Sequence, residues 1–287
     1  MNRDAKTQRY SSRTQVCDRL KLHLRLVKLC RATFRVVSLR PYTGVAYSTN
    51  YFHDTWHILS DAHGARLLAR LMWGLSFQRK PGTVVLIHGE HIKPTPFDAE
   101  PSDPILLFPA HLTSQTKGAL RTLRDRISRL GPPLCTIRWH TFSLDAAMTR
   151  EKARGPYDST HEFHGNDWLW YEDSKPLFKS EQMFRRGGFV CYAAPSAIMR
   201  QQALTVAQMQ PGKYGMDYHF IADNDTCHWA DGEVQIFDDY HARRTAATQA
   251  RREVLRRGNV PNDPQVLYDM IAAHRDEILR RRKAARH

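Results

Sequence analysis

Two periods of apolar residues run along the chain and divide it into prospective strands and helices. Val16, Leu20, Leu24, Val27, Cys30 and Phe34 recur at helical spacing, with no Gly or Pro before Pro41. Ser12 and Gln15 form a capping-box pattern ahead of them, so a long basic helix is expected. A strand period competes in the same stretch, where Leu20, Leu22, Leu24 and Leu26 alternate with Lys21, His23 and Arg25. Further on, Asn50 is expected to cap a short helix carrying His53, His57 and Asp61 at i, i+4 and i+8, three potential metal ligands on one face. A helix from Asp61 to Leu75 would turn Leu68, Leu71, Met72 and Leu75 inward.

Thr83–His88 is a short apolar run rich in β-branched residues, the pattern of a strand buried on both faces. Five prolines between Pro94 and Pro109 mark a long loop around a strand at Ile105–Phe108. Ser114–Leu130 reads as a helix stopped by Gly131-Pro132-Pro133, and Leu134–Phe142 as a strand, together expected as a crossover unit. Residues 145–180 are loop-rich. Phe189–Ala193 reads as a strand, and Ala194-Pro195-Ser196 opens a helix ending before Pro211. Tyr218–Ala222 reads as a strand, and Thr226–Trp229 and Glu233–Phe237 as a pair joined through Ala230-Asp231-Gly232. Residues 241–257 form a helix ended by Gly258, and Asp263 with Pro264 starts the last one.

These elements predict an α/β or α+β fold, with a mixed central sheet from about residue 80 to 240, flanking helices and basic helical N- and C-terminal segments. The expected divisions are a basic helical arm at 1–40, an α/β body at 41–240 and a basic helical pair at 241–287 packed on the body.

Charge sharpens that division. The chain carries a formal net charge of +14, from 32 Arg and 11 Lys against 29 acidic residues. Residues 1–40 contribute +9 and residues 241–287 contribute +7, leaving the body slightly acidic. Basic ends on an acidic body fit nucleic acid or another polyanion as partner, and guanidinium suits phosphate because its planar fork makes paired hydrogen bonds. The five cysteines are isolated, which fits a reduced interior and not a disulfide framework. No apolar run is long enough for a membrane span and no secretory h-region follows the N-terminus, so a cytoplasmic protein is expected.

Candidate chemistry centres on residues 214–241, which hold seven acids and three histidines and no Lys or Arg. Asp217, Asp223, Asp225, His228 and Glu233 are the candidate catalytic set. Asp223, Asp225 and His228 are the candidate ligands of Mg2+ or Mn2+, since crowded carboxylates need a cation, a proton or open water. Such an ion would serve phosphodiester hydrolysis. Asp217 followed by Glu233-Val234-Gln235 resembles the D…E-x-K arrangement of restriction-type nucleases, with Gln235 where a lysine belongs. Asp223-Asn224-Asp225 resembles the D-x-D of GT-A glycosyltransferases, which implies a nucleotide-sugar donor. VVLIHG resembles a segment of α/β-hydrolases, but no G-x-S-x-G elbow follows, which excludes that class.

Arg185-Arg186 beside Gly187-Gly188, and Arg243, Arg244, Arg251, Arg252, Arg256 and Arg257 on the first C-terminal helix, are the candidate phosphate-binding residues. His161-Glu162-Phe163-His164 is one residue short of a zinc helix, and the Trp168–Tyr171 patch offers stacking surfaces. The leading expectation is a nucleic-acid-associated protein, as a metal-dependent phosphodiesterase or nuclease. The glycosyltransferase-like enzyme and a non-enzymatic binding or assembly protein stand as alternatives.

Overall fold

The computed structural model describes residues 20–29, 32–113, 115–153, 179–223, 230–258 and 262–285. Along the chain run β1 (Lys21–Leu29), β2 (Ala32–Ser38), β3 (Ser48–Phe52), β4 (Thr55–Ser60), α1 (Ala62–Ser76), β5 (Thr83–Ile87), β6 (Ile105–Pro109), α2 (Lys117–Arg126), β7 (Cys135–Arg138), α3 (Leu144–Ala153), β8 (Gln182–Arg186), β9 (Phe189–Ala194), α4 (Ser196–Gln208), β10 (Met216–Ile221), β11 (Gly232–Phe237), α5 (Tyr240–Arg256) and α6 (Pro264–Ala284). They build a mixed α/β fold with a seven-stranded sheet, ordered β7-β1-β2-β5-β6-β9-β8, and a four-stranded sheet, ordered β10-β11-β4-β3.

The run at Thr83–Ile87 is buried throughout because both faces of the large sheet are covered. Val85, Ile87, Ile105 and Leu107 meet Leu68, Leu71 and Met72 of α1 and Ile198 and Met199 of α4 in the larger core. Val84, Leu86, Leu106 and Phe108 meet Leu120 and Leu123 of α2 on the opposite face. Ile58, Val234 and Ile236 bring one face of the small sheet into the larger core, leaving its other face to carry different chemistry.

The expected N-terminal helix is a hairpin. β1 pairs antiparallel with β2, Leu24 opposite Val37 and Val27 opposite Phe34, and the sheet therefore begins at residue 21, not near 80. The helical spacing arose from a change of buried face. Leu22 and Leu24 enter the larger core, whereas Val27 and Leu29, on the other side of the same strand, enter the core under α2. That switch puts Leu24 and Val27 three apart and mimics a helix turn.

His53, His57 and Asp61 do not share a helix face either. His53 and Asp54 form the two-residue turn between β3 and β4, both at positive φ (50° and 60°), the backbone a tight hairpin requires. His57 lies in β4, and Asp61 caps α1 by accepting from Gly64 N at 2.7 Å. The segment β6–α2–β7 is no crossover between neighbours, since β7 sits at the far edge of the sheet, antiparallel to β1. β11 pairs with β10, Ile221 opposite Gly232. The expected strand at 226–229 lies outside the described residues, as do the HEFH segment and the Trp168–Tyr171 patch.

The C-terminal helices form as expected. Ala246, Ala250 and Val254 of α5 pack on Ile271 and Ile278 of α6. Arg251 reaches the Asp98 carbonyl (3.1 Å) and Arg275 the Phe97 carbonyl (2.8 Å), tying both helices to the loop before β6.

Candidate anion-binding cleft and the acidic window

Two members of the acidic window, Asp217 and Glu233, do not meet. Asp217 of β10 pairs with Ile236, whereas Glu233 of β11 pairs with Phe220 and with His57. Alternation along paired strands therefore puts Asp217 and Glu233 on opposite faces of the small sheet. The Asp217 carboxylate accepts from the backbone N–H groups of Gln210 (3.0 Å) and Tyr218 (2.9 Å), which fixes the turn leading into β10. Glu233 is buried, 3.3 Å from His57 Nε2, and accepts from Gln235 Nε2 at 2.7 Å. His57 Nδ1 lies 3.0 Å from Asn50 Oδ1. Asn50, His57, Glu233 and Gln235 thus form a polar row across three strands. Asp223 is exposed just beyond β10, and Asp225 and His228 lie outside the described residues. Among the described residues no group of three His, Cys, Asp or Glu side chains is arranged to hold a metal ion.

A second buried network has no signature in the sequence. Glu181 is fully buried and accepts from the Tyr192 hydroxyl (2.7 Å) and from Gln202 Nε2 (3.2 Å). Gln202 Oε1 in turn lies 2.5 Å from His219 Nε2. The chain is consistent when neutral His219 donates to Gln202 and Gln202 donates to Glu181. Burial pushes the Glu181 carboxyl above its usual range, against the opposing hydrogen bonds from Tyr192 and Gln202. Burial lowers His219 to about 4, opposed by the nearby charges of Asp217 and Glu233. No motif announces this network, because its members lie far apart in sequence and each is an ordinary residue in its own element.

The candidate arginines divide into distinct environments. Arg185 is held by Asp103 at 2.5 Å, Arg243 by Asp239 at 2.5 Å, and Arg251 by Asp98 at 3.4 Å, so these three carry structural ion pairs. Arg186 lies over the Phe184 ring beside the Gly187-Gly188 turn. Arg257 is exposed at the C-cap of α5. The remaining three, Arg244, Arg252 and Arg256, line one cleft of about 600 Å³ between α5 and the segment Lys93-Pro94. Residues four apart lie on neighbouring turns of a helix, so Arg244, Thr248, Arg252 and Arg256 form a continuous stripe along it.

Lys93 adds a fourth cation to the cleft, and Glu253 is its one carboxylate among the lining residues. Glu253 is already engaged, by Gln249 at 2.8 Å and by His274 Nε2 at 2.5 Å, which hold its carboxyl below the usual range. Arg244 lies over the Tyr240 ring, and its buried Nη1 has no hydrogen-bond partner among the described residues. The lining thus presents excess positive charge, the electrostatics of an anion site.

No protein family, curated protein or solved structure matches the chain. Among the described residues no helix is long and apolar enough to cross a membrane.

Proposed function

We propose that the protein binds nucleic acid through its phosphate backbone, with the α5 cleft as the phosphate site. The observation that carries this reading is the convergence of Lys93, Arg244, Arg252 and Arg256 on one cleft. Guanidinium groups on a helix stripe neutralise successive phosphates and displace their counterions, giving strong salt dependence and little sequence preference. A cytoplasmic, reducing setting suits this reading, since Cys135 and Cys191 are both unpaired.

The test is affinity for a fluorescent oligonucleotide across a salt series. The Arg244→Gln, Arg252→Gln, Arg256→Gln triple variant is expected to bind more weakly at every salt concentration. Its log–log salt slope should be shallower by about two, since each phosphate left without its cation removes roughly 0.7–0.9 from the slope. Equal slopes in both proteins would remove the cleft from binding.

Metal-dependent phosphodiester cleavage is a further proposal, resting on Asp223 with Asp225 and His228. Manganese is then expected to raise the melting temperature of the wild type, and Asp223→Ala with Asp225→Ala to abolish the rise. No rise in the wild type would remove the metal and, with it, the cleavage chemistry.

A further inference from the structure

The side of the large sheet that α2 covers changes character towards the ends of β2 and β5. Val27 of β1, Val36 of β2 and Leu86 of β5 lie in the core under α2. Strand alternation puts Arg25, His23 and Lys21 of β1 and Ser38 of β2 on that same side. Arg138 of β7 joins them, because Lys21 pairs with Arg138. His23 pairs with Ser38, and Ser38 with Leu86. Two residues beyond that last pair come Arg40 and His88, the latter with extended backbone. The register therefore sets Arg138, Lys21, Arg40 and His88 side by side across the ends of four neighbouring strands, β7-β1-β2-β5. At ~4.8 Å between strands, the row is about 14 Å long along the backbone.

The row is open. Lys21, Arg40 and Arg138 are exposed, and His23, Arg25 and His88 are half-buried. Arg25 is held by neutral partners, donating to Ser38 Oγ and to the Gly131 carbonyl, both at 2.9 Å. Carboxylates hold Arg185, Arg243 and Arg251, but among the described residues none pairs with Lys21, Arg25, Arg40 or Arg138. The histidines register that charge. Burial, then Arg25 and Arg40, lowers His23, and burial, then Arg25 and His91, lowers His88 to about 4. Glu90, two residues past His88, accepts from the Tyr42 N–H at 2.8 Å and lies 3.9 Å from His91 Nε2. Apolar surface on this side is slight, with Leu134 exposed just before β7.

We infer that this end of the large sheet is a second phosphate-binding surface for nucleic acid, with Arg138, Lys21 and Arg40 each meeting a backbone phosphate. The partner class rests on the nucleic-acid reading above, but the surface shares no residue with the α5 cleft. The basic N-terminal segment supplies Lys21, Arg25 and Arg40 from a hairpin and the turn after it, not from a helical arm. Neutral imidazoles at His23 and His88 each still offer one N–H to a phosphate oxygen. Cations set in a line suit a polymer that carries its charges in series, whereas a membrane contact calls for apolar side chains to insert. No Phe, Tyr or Trp stands in the row to stack on a base, so the surface reads backbone and not sequence.

The experiment measures the salt dependence of binding by the full chain to a fluorescent oligothymidylate and to an abasic strand of equal length. Arg40→Gln with Arg138→Gln should weaken both strands alike and make the log–log slope shallower by about 1.5, since each phosphate left without its cation removes roughly 0.7–0.9. Arg40→Lys with Arg138→Lys should keep the wild-type slope. Arg79→Gln with Lys80→Gln removes the same charge from exposed positions at the opposite end of β5 and should also keep it. The inference is overturned if the Arg40, Arg138 glutamine pair keeps the wild-type slope, or if the Arg79, Lys80 pair loses as much, marking a response to net charge alone. Weakening confined to the base-bearing strand overturns it too. So does a glutamine pair that releases the protein from phosphatidylserine vesicles while oligonucleotide affinity stays unchanged, which would make the surface a membrane contact. The α5 cleft is judged separately by its own triple variant. A slope lost only there keeps the cleft and overturns this surface, and a slope lost only in the Arg40, Arg138 pair does the reverse. A wild type that binds neither strand overturns both readings.

Discussion

His219 and Glu181 are linked through Gln202 yet respond to pH in opposite directions. His219 and His88 are both pushed down to about 4, His88 by burial and then by the charges of Arg25 and His91. Between an unfolded value near 6.5 and that folded value, the unfolded chain takes up protons that the folded chain refuses. Their contribution is therefore complete above pH ~6.5 and is lost as pH falls towards 4. Each is worth at most about 3 kcal/mol over that window. Glu181, raised by burial, works the other way, and its contribution is lost as pH rises through its raised value. The expected outcome is a denaturation midpoint that falls between pH 6.5 and 4, with a shallower fall in His219→Gln; identical slopes would show that His219 titrates normally.

Glu233 belongs to the same scale. Its carboxylate sits 3.3 Å from His57 Nε2, and removing one member of a buried polar pair leaves the other uncompensated. Glu233→Ala should lower unfolding free energy by about 3 kcal/mol in urea titration, while a loss under ~1 kcal/mol would mean that water reaches the pair. The residue types of the acidic window were legible in the sequence. Their meeting points were not, because the face on which Asp217 or Glu233 falls depends on the register of β10, β11 and β4. The arginines behaved similarly. Only the Asp239–Arg243 pair, four apart on one segment, had its partner within local reach. Asp98 and Asp103, which hold Arg251 and Arg185, are distant in sequence.

Elements were legible where one periodicity described one buried face. α1, α4 and the C-terminal pair meet that condition, with β5 legible as a short run apolar throughout. β1 does not, because its buried side changes between Leu24 and Val27, and the pairing with β2 and β7 that decides it is not local. The β3–β4 turn carries no local signal, because His53 and Asp54 stand where Asn-Gly or Asp-Gly would announce positive φ.

At this scale Gly74 permits a close approach between α1 and the segment after β7. A Cβ there would meet the Trp139 indole nitrogen and lie 2.6 Å from the His140 carbonyl oxygen. Gly74→Ala should therefore destabilise by about 1–3 kcal/mol despite alanine's better helix propensity. Unchanged or higher thermal stability would show that Trp139 moves aside. In the C-terminal pair, Ile271 is fully buried against α5. Ile271→Ala should cost about 2–5 kcal/mol and weaken oligonucleotide binding too, because α6 positions the cleft helix through His274–Glu253 and Arg282–Gln249. Normal binding by a folded variant would mean that α5 holds its place without α6.

Over the whole molecule, the count of 43 basic residues overstates the cationic surface available to a partner. Arg185, Arg243, Arg251 and Arg275 are neutralised by neighbouring carboxylates. Arg244, Arg252, Arg256 and Lys93 face one cleft at the end of the small sheet, and the large sheet with α1, α2 and α4 supplies the rigid body behind it. A scaffold of this kind fixes the spacing of the cations in advance, so binding need not order them. The decisive measurement is the salt dependence of oligonucleotide affinity, wild type against the Arg244, Arg252, Arg256 glutamine variant. A steep wild-type slope that becomes shallower by about two in the variant is predicted. A flat wild-type response, or one that the variant reproduces unchanged, would contradict the assignment of the cleft to phosphate.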